Sequence, residues 1–189
     1  VKKWLLTVLI LGMMINISYA GASDAPRWAP RYEDSRITFI STENAMKFEG
    51  AFENFTAEIA FDPDNLEESH VKAIIDITSV TRYMEDRDKT LRSPDWFDVE
   101  TYKTAAFEAE NFEQTGDNSY IAHGTLTIKN ISRPFDLPFT LEIDGQTAVM
   151  NSDFQLLRLD YNVGINDWAE TSFVANEVRL NIHLVADKK

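Results

Sequence analysis

Three histidines, His70, His123 and His183, are the side chains here best suited to move a proton or hold a metal near neutral pH, and they stand far apart. None has a partner at the HxxxH or HExxH spacing that would aim two imidazoles at one metal, so they read as polar residues on strand faces. The chain has no cysteine, which removes thiol catalysis, thiolate metal sites, disulfides and lipid attachment through a processed cysteine. There is no GxSxG and no phosphate-cradling loop among the seven glycines, so hydrolase and nucleotide chemistry have no foothold. DPDNLEE (Asp62 to Glu68) looks like a calcium loop but lacks a glycine at its sixth position and reads as a solvated acidic turn. Two neighbouring charge pairs remain, Arg87 with Asp88 and Arg158 with Asp160. Each could meet a ligand head group, although a structural ion pair or cap is the more frequent role of such neighbours.

Twelve phenylalanines and four tryptophans raise a different chemistry, because aromatic rings bury large areas and need somewhere to go. The stretch FDLPFTLEI (Phe135 to Ile143) puts a large apolar residue at every second position, which in a strand makes one oily face and one wet face. The same period of two recurs over Arg36 to Thr42, Met46 to Phe52, Glu58 to Phe61, Val71 to Ile77, Ala105 to Phe112, Tyr120 to Ile128, Ala148 to Leu156 and Glu177 to Val185. Turn chemistry such as Asp62-Pro63-Asp64-Asn65 and Asp144-Gly145 separates these runs. This is an all-β pattern, and closure of the sheet into an antiparallel barrel of about eight strands removes its exposed edges. MEDRDKTLRSPDWF (Met84 to Phe97) breaks the period and predicts a short helix near one end, stopped by Pro94. Pro138 cannot donate a ladder hydrogen bond, so a bulge or local opening is expected there. An eight-stranded barrel either fills its interior with its own side chains or holds one small ligand; periodicity leaves both open.

The amino terminus, VKKWLLTVLILGMMINISYA, has two lysines, an apolar run from Trp4 to Ile17 and a Ser-Tyr-Ala end, which is the layout of a signal peptide cleaved after Ala20. The remaining 169 residues suit one domain, read as a lead-in segment over 21–34 and a barrel over 35–187. They carry 16 basic and 31 acidic residues, a formal charge of −15, which repels nucleic acid and anionic membrane surfaces. The expected compartment is the periplasm, with no stable membrane insertion.

Four stretches carry a likeness: FEGAFENFTAEIAFDP (Phe48 to Pro63), DITSVTRYMEDRDKTLRSPDWFDVETYKTAAFEA (Asp76 to Ala109), GTLTIKNISRPFDLPF (Gly124 to Phe139) and RLDYNVG (Arg158 to Gly164). Together they resemble the YceI-like family of exported bacterial proteins, over about Ser35 to Val185. The resemblance implies an extended lipocalin-like barrel whose interior holds a long isoprenoid or related amphiphile, such as a polyprenyl quinone. Its expected wall is Phe39, Phe48, Phe107, Leu126, Phe135, Leu137, Phe139, Leu141 and Phe154, with Tyr161 and Trp168 near the RLDYNVG loop. Arg87, Arg158 and Asp160 are the head-group candidates. Asp34 stands where relatives often have a histidine before the first strand's serine, and Glu43-Asn44-Ala45 replaces a frequent His or Lys of the next strand; if those positions help select a head group, the ligand here differs from theirs. The reading is a periplasmic carrier without catalytic residues, cofactor or metal. Its alternatives are an enzyme acting on the lipid's head group and a ligand-free structural or interaction module. Homodimerisation through a strand or helix face is left open.

Overall fold

The computed structural model describes residues 25–189, so the signal peptide expected over 1–20 lies outside the described residues. Eleven strands are described in one antiparallel sheet: β1 (Arg27–Pro30), β2 (Arg36–Glu43), β3 (Met46–Phe52), β4 (Phe55–Ala60), β5 (His70–Asp76), β6 (Val80–Thr81), β7 (Thr104–Gly116), β8 (Ser119–Ile128), β9 (Ile131–Asp144), β10 (Thr147–Leu157) and β11 (Glu177–Lys188). Several are halves of one interrupted stave. β1 and β2 both run antiparallel to β11, with Trp28 opposite Lys188 and Ile37 opposite Ile182, and a 3-10 turn at Tyr32–Asp34 parts them. β3 and β4 are parted by Glu53 and Asn54, and β5 and β6 by a 3-10 turn at Ile77–Ser79. Counted this way the sheet is an eight-stranded closed barrel, as the alternation predicts. Each stave pairs with the next in sequence, and β11 returns to β1 and β2, so the long pairings run right round the barrel, while the short β6 pairs on one side, with β3.

The segment expected as a lead-in contains β1, a correction to the sequence reading. Two prolines and a run too short to show a period hide this strand, yet its backbone pairs on both sides, with β11 and with β4. Trp28 is its anchor. The ring is buried and its Nε1–H donates to the Phe61 carbonyl at 2.9 Å. Around it Phe61 meets Phe112, Tyr120 and Phe139 edge-on at 5.3–5.9 Å between centroids, and Tyr120 stacks on Phe139 at 5.3 Å. These rings seal one end of the barrel.

At the other end lies α1 (Glu85–Arg92). Acidic Glu85, Asp86 and Asp88 in its first turn and Lys89 and Arg92 in its last complement the helix dipole. It stops before Ser93-Pro94, because a residue preceding proline is driven out of helical geometry. Leu91 is the side chain it buries. Asp88 is also buried: its Oδ1 accepts the Arg82 backbone N–H at 2.6 Å and its Oδ2 accepts the Thr81 hydroxyl at 2.8 Å, tying α1 to the end of β6.

Candidate binding cavity

Alternation sends Ile37, Phe39 and Ser41 of β2 inward, and the same rule applied to every stave encloses an apolar cavity of about 210 Å³. A second chamber of about 70 Å³ lies toward the Trp28 end. Ile59, Val71, Phe107, Leu137, Met150 and Leu184 border both and form the constriction between them. An apolar cavity of roughly 150 Å³ stays dry and takes a small hydrocarbon; the larger space here has the same character. The interior is therefore hollow in part and filled in part, with the aromatic seal at one end and open volume next to α1.

Most of the expected wall residues meet at this space. Phe39, Phe48, Phe107, Leu126, Phe135, Leu137, Phe154 and Tyr161 line the main cavity. Phe139 and Leu141 line only the smaller chamber, where Phe139 belongs to the aromatic seal. Trp168 borders neither and instead backs onto Trp96, with centroids 5.5 Å apart. Its 3-10 turn, Asn166–Ala169, lies outside the sheet, so no strand alternation points it inward. Trp96, Phe97 and Leu91, not among the expected wall residues, cap the cavity from α1 and the turn after it. Their signal was present in the apolar members of SPDWFDV, but a helix and turn give no alternation to say which of them face the barrel. Gly50 shows how tightly the wall is built, because a Cβ there would stand 2.6 Å from the Thr81 carbonyl oxygen and would overlap the Phe39 ring.

The three head-group candidates stand apart from one another. Arg87 is exposed and pairs with Glu43 at 2.9 Å, which also holds Arg82 at 3.1 Å. The Asp160 side chain is exposed and does not border the cavity; its backbone carbonyl accepts from Arg133 Nε at 2.9 Å. Arg158 does line the cavity and is 4% exposed. All five of its N–H groups are taken by backbone carbonyls: Nε by Ala175, Nη1 by Val163 and Gly164, Nη2 by Trp168 and Val174, at 2.5–2.9 Å. Among the described residues no carboxylate pairs with it, and burial pulls its pKa down from the ordinary value, although a guanidinium stays protonated. The residue therefore organises the loop between β10 and β11 and has no N–H left over for a ligand. Lys129 does the same next door, donating to the carbonyls of Trp96 at 2.7 Å and Asn162 at 2.8 Å. The α1 end of a strongly acidic protein thus holds two cations matched to carbonyl dipoles.

The histidines behave as strand-face residues. His123 on β8 lies between Asp136 of β9, at 2.7 Å from Nδ1, and Glu113 of β7, at 3.3 Å from Nε2. Its pKa is raised, chiefly by the hydrogen bond to Asp136.

The barrel wall parts between β9 and β10. β9 pairs with β8 along its length up to Thr140, but its register with β10 runs only from Asp144 opposite Thr147 to Thr140 opposite Asn151. Pro138 explains the stop. Its carbonyl accepts from Ser152 Oγ at 2.5 Å, so its polar edge faces β10, and the missing N–H removes a rung there. Pro134, four residues earlier, has the same facing and likewise lacks an N–H for β10. The local opening expected at Pro138 is this seam, and Phe135 and Phe154 bridge it from inside with centroids 5.1 Å apart.

Known proteins share this architecture. The profile of the YceI-like domain matches residues 28–186. The chain belongs to the YceI-like family. The match begins at Trp28, so it takes in β1. A UPF0312 protein of Photorhabdus laumondii is 33% identical over 97 residues, 51% of this YceI-like chain and 50% of that protein. One of Vibrio cholerae is 31% identical over 131 residues, 68% and 69% of the two chains. The chain thus spans about half the length of the Photorhabdus relative. Among solved structures, Burkholderia cenocepacia BcnA superposes with a TM-score of 0.80 at 31% identity, over 82% of this YceI-like chain and 98% of that one. A polyisoprenoid binding domain from Saccharophagus degradans superposes with a TM-score of 0.69 at 12% identity, over 87% and 99%, a likeness of fold. No helix among the described residues is long and apolar enough to cross a membrane.

Proposed function

We propose that the protein carries a long isoprenoid-type lipid, a polyprenyl quinone or similar amphiphile, in its barrel and moves it through the periplasm without altering it. The observation that carries this reading is the two-chambered apolar interior, hollow next to α1 and sealed by rings at the Trp28 end. A tail entering at the α1 end is lined by rings and aliphatic side chains as far as the constriction. Burial is worth roughly 0.8 kcal/mol per CH₂, so one five-carbon unit contributes on the order of 3 kcal/mol, and several units exceed the ordering and association costs. Affinity of this kind needs no polar chemistry, and length selection falls to Met150, Phe107 and the rest of the constriction, which must part for a tail to pass. The fold shared with a domain described as polyisoprenoid binding agrees with it. Binding is favoured over turnover because Arg158, the charged side chain that lines the cavity, is already engaged by backbone carbonyls.

The test is the lipid content of protein purified from its own cells without detergent, by solvent extraction and mass spectrometry. An isoprenoid recovered in stoichiometric amount is the expected result. An extract free of lipid, together with no uptake of added polyprenol, overturns the proposal.

A further inference from the structure

Two polar atoms in the cavity wall have no hydrogen-bond partner among the described residues. Ser41 Oγ and Trp96 Nε1 are buried on residues 5% and 7% exposed, and neither meets a hydrogen-bonding group. Both residues line the main cavity. Both belong to its α1 end, since Ser41 lies opposite Phe48 in the β2–β3 pairing and Phe48 and Trp96 share a small void beneath α1. The Trp28 indole, by contrast, has the Phe61 carbonyl, and Arg158 has five carbonyls; the other buried polar atoms without a partner among the described residues, Arg31 Nε and Arg92 Nε, belong to residues that line neither chamber. A buried donor left unmet is disfavoured, and native proteins leave few, so two at one end of a binding cavity call for a partner that arrives from outside.

The field there says what kind of partner. An indole N–H can only donate, and a hydroxyl can donate or accept, so the group that satisfies both is an acceptor. Arg158 stands 5.5 Å from the Trp96 ring, its charge met by that ring and by neutral carbonyls, with no carboxylate paired to it among the described residues. A guanidinium in that setting attracts the negative end of a dipole or an anion and repels a cation.

Building on the carrier reading above, we propose that the lipid's polar end is an oxygen acceptor (alcohol, carbonyl or phosphate) held by the Trp96 indole N–H and the Ser41 hydroxyl beside Arg158. The tail then points toward Trp28. This sets the ligand's direction in the barrel and makes Trp96 and Ser41 specificity residues, while Arg87 and Asp160 take no part. Both atoms are covered by their surroundings, so docking includes a turn of the hydroxyl and a tilt of the indole.

Calorimetric titration of the intact protein tests this with geranylgeraniol, with the same chain lacking its oxygen, and with geranylgeranylamine. Trp96→Phe keeps a ring and removes the donor; Ser41→Ala removes a hydroxyl that has no partner and so leaves the fold intact. Each variant is expected to weaken the alcohol by about 2–10-fold, the worth of one hydrogen bond, and to leave the hydrocarbon unchanged or tighter. The amine is expected to bind the natural sequence more weakly than the alcohol. Equal weakening of alcohol and hydrocarbon, or an unchanged alcohol affinity in Ser41→Ala and Trp96→Phe with both probes still binding, overturns the head-group site and leaves the carrier reading standing. Binding of none of the probes overturns both.

Discussion

Replacing Arg158 by lysine keeps the charge and most of the aliphatic stem but reduces the N–H groups from five in a planar fork to three on one nitrogen. At least two of the carbonyls of Val163, Gly164, Trp168, Val174 and Ala175 then lose their donor. Hydrogen bonds to charged groups contribute about 1.5–3 kcal/mol each, so two lost bonds amount to about 3–6 kcal/mol. Water repairs little of this, because Val163 and Val174 are 6% and 2% exposed. A domain of this size is stable by roughly 5–15 kcal/mol, so Arg158→Lys should remain folded with a large part of its stability gone. Urea unfolding followed by fluorescence measures the loss, and an unchanged m-value certifies that the same surface is exposed. Hydrogen exchange gives the location: the amides of Gly164, Val174 and Ala175, bonded to Asp95, Glu170 and Thr42, should lose protection before those of β7 and β8. A loss below about 1 kcal/mol with that loop still protected would refute the claim that this guanidinium holds the loop together.

Three further outcomes follow from the same geometry. Phe61→Ala, in the aromatic seal, should cost about 3–5 kcal/mol in urea unfolding, whereas Phe154→Ala, beside open volume, should cost less than half as much and change polyprenol uptake more; equal costs would mean a filled interior. Gly50→Ala should destabilise and displace the Phe39 ring, read as a lower Tm and a smaller cavity for apolar probes; an unchanged Tm contradicts the close approach. His123 binds its proton more tightly in the folded protein than in the unfolded chain, so it stabilises fully at pH below its ordinary value near 6.5. That contribution fades as pH rises through the raised folded value. His123→Gln should flatten this part of the stability-pH profile, and a profile identical to that of the natural sequence refutes the assignment.

What could be read locally was read well. Met46 to Phe52 alternates cleanly and forms β3 over those residues, and Pro138 announces a broken rung because the lack of an N–H belongs to the residue itself. β1 escaped because four residues with a proline show no period, and its pairing partners are β4 and β11, distant in the chain. Trp168, expected on the wall, borders neither chamber, because proximity in sequence to RLDYNVG says nothing about which way a ring turns in a 3-10 segment. Arg158 was rightly singled out, but for a ligand contact that its five carbonyl partners leave it no N–H to make.

By itself the sequence determined the all-β class, the inward rows, the helix before Pro94 and the absence of thiol chemistry, because alternation, propensity and composition act over a few residues. Only the tertiary structure decided how much of the interior is hollow, that Trp28 seals it, and that Ser41 and Trp96 are left without partners. Volume and hydrogen-bond satisfaction depend on which distant staves close against one another, and no local pattern encodes the sum of those approaches.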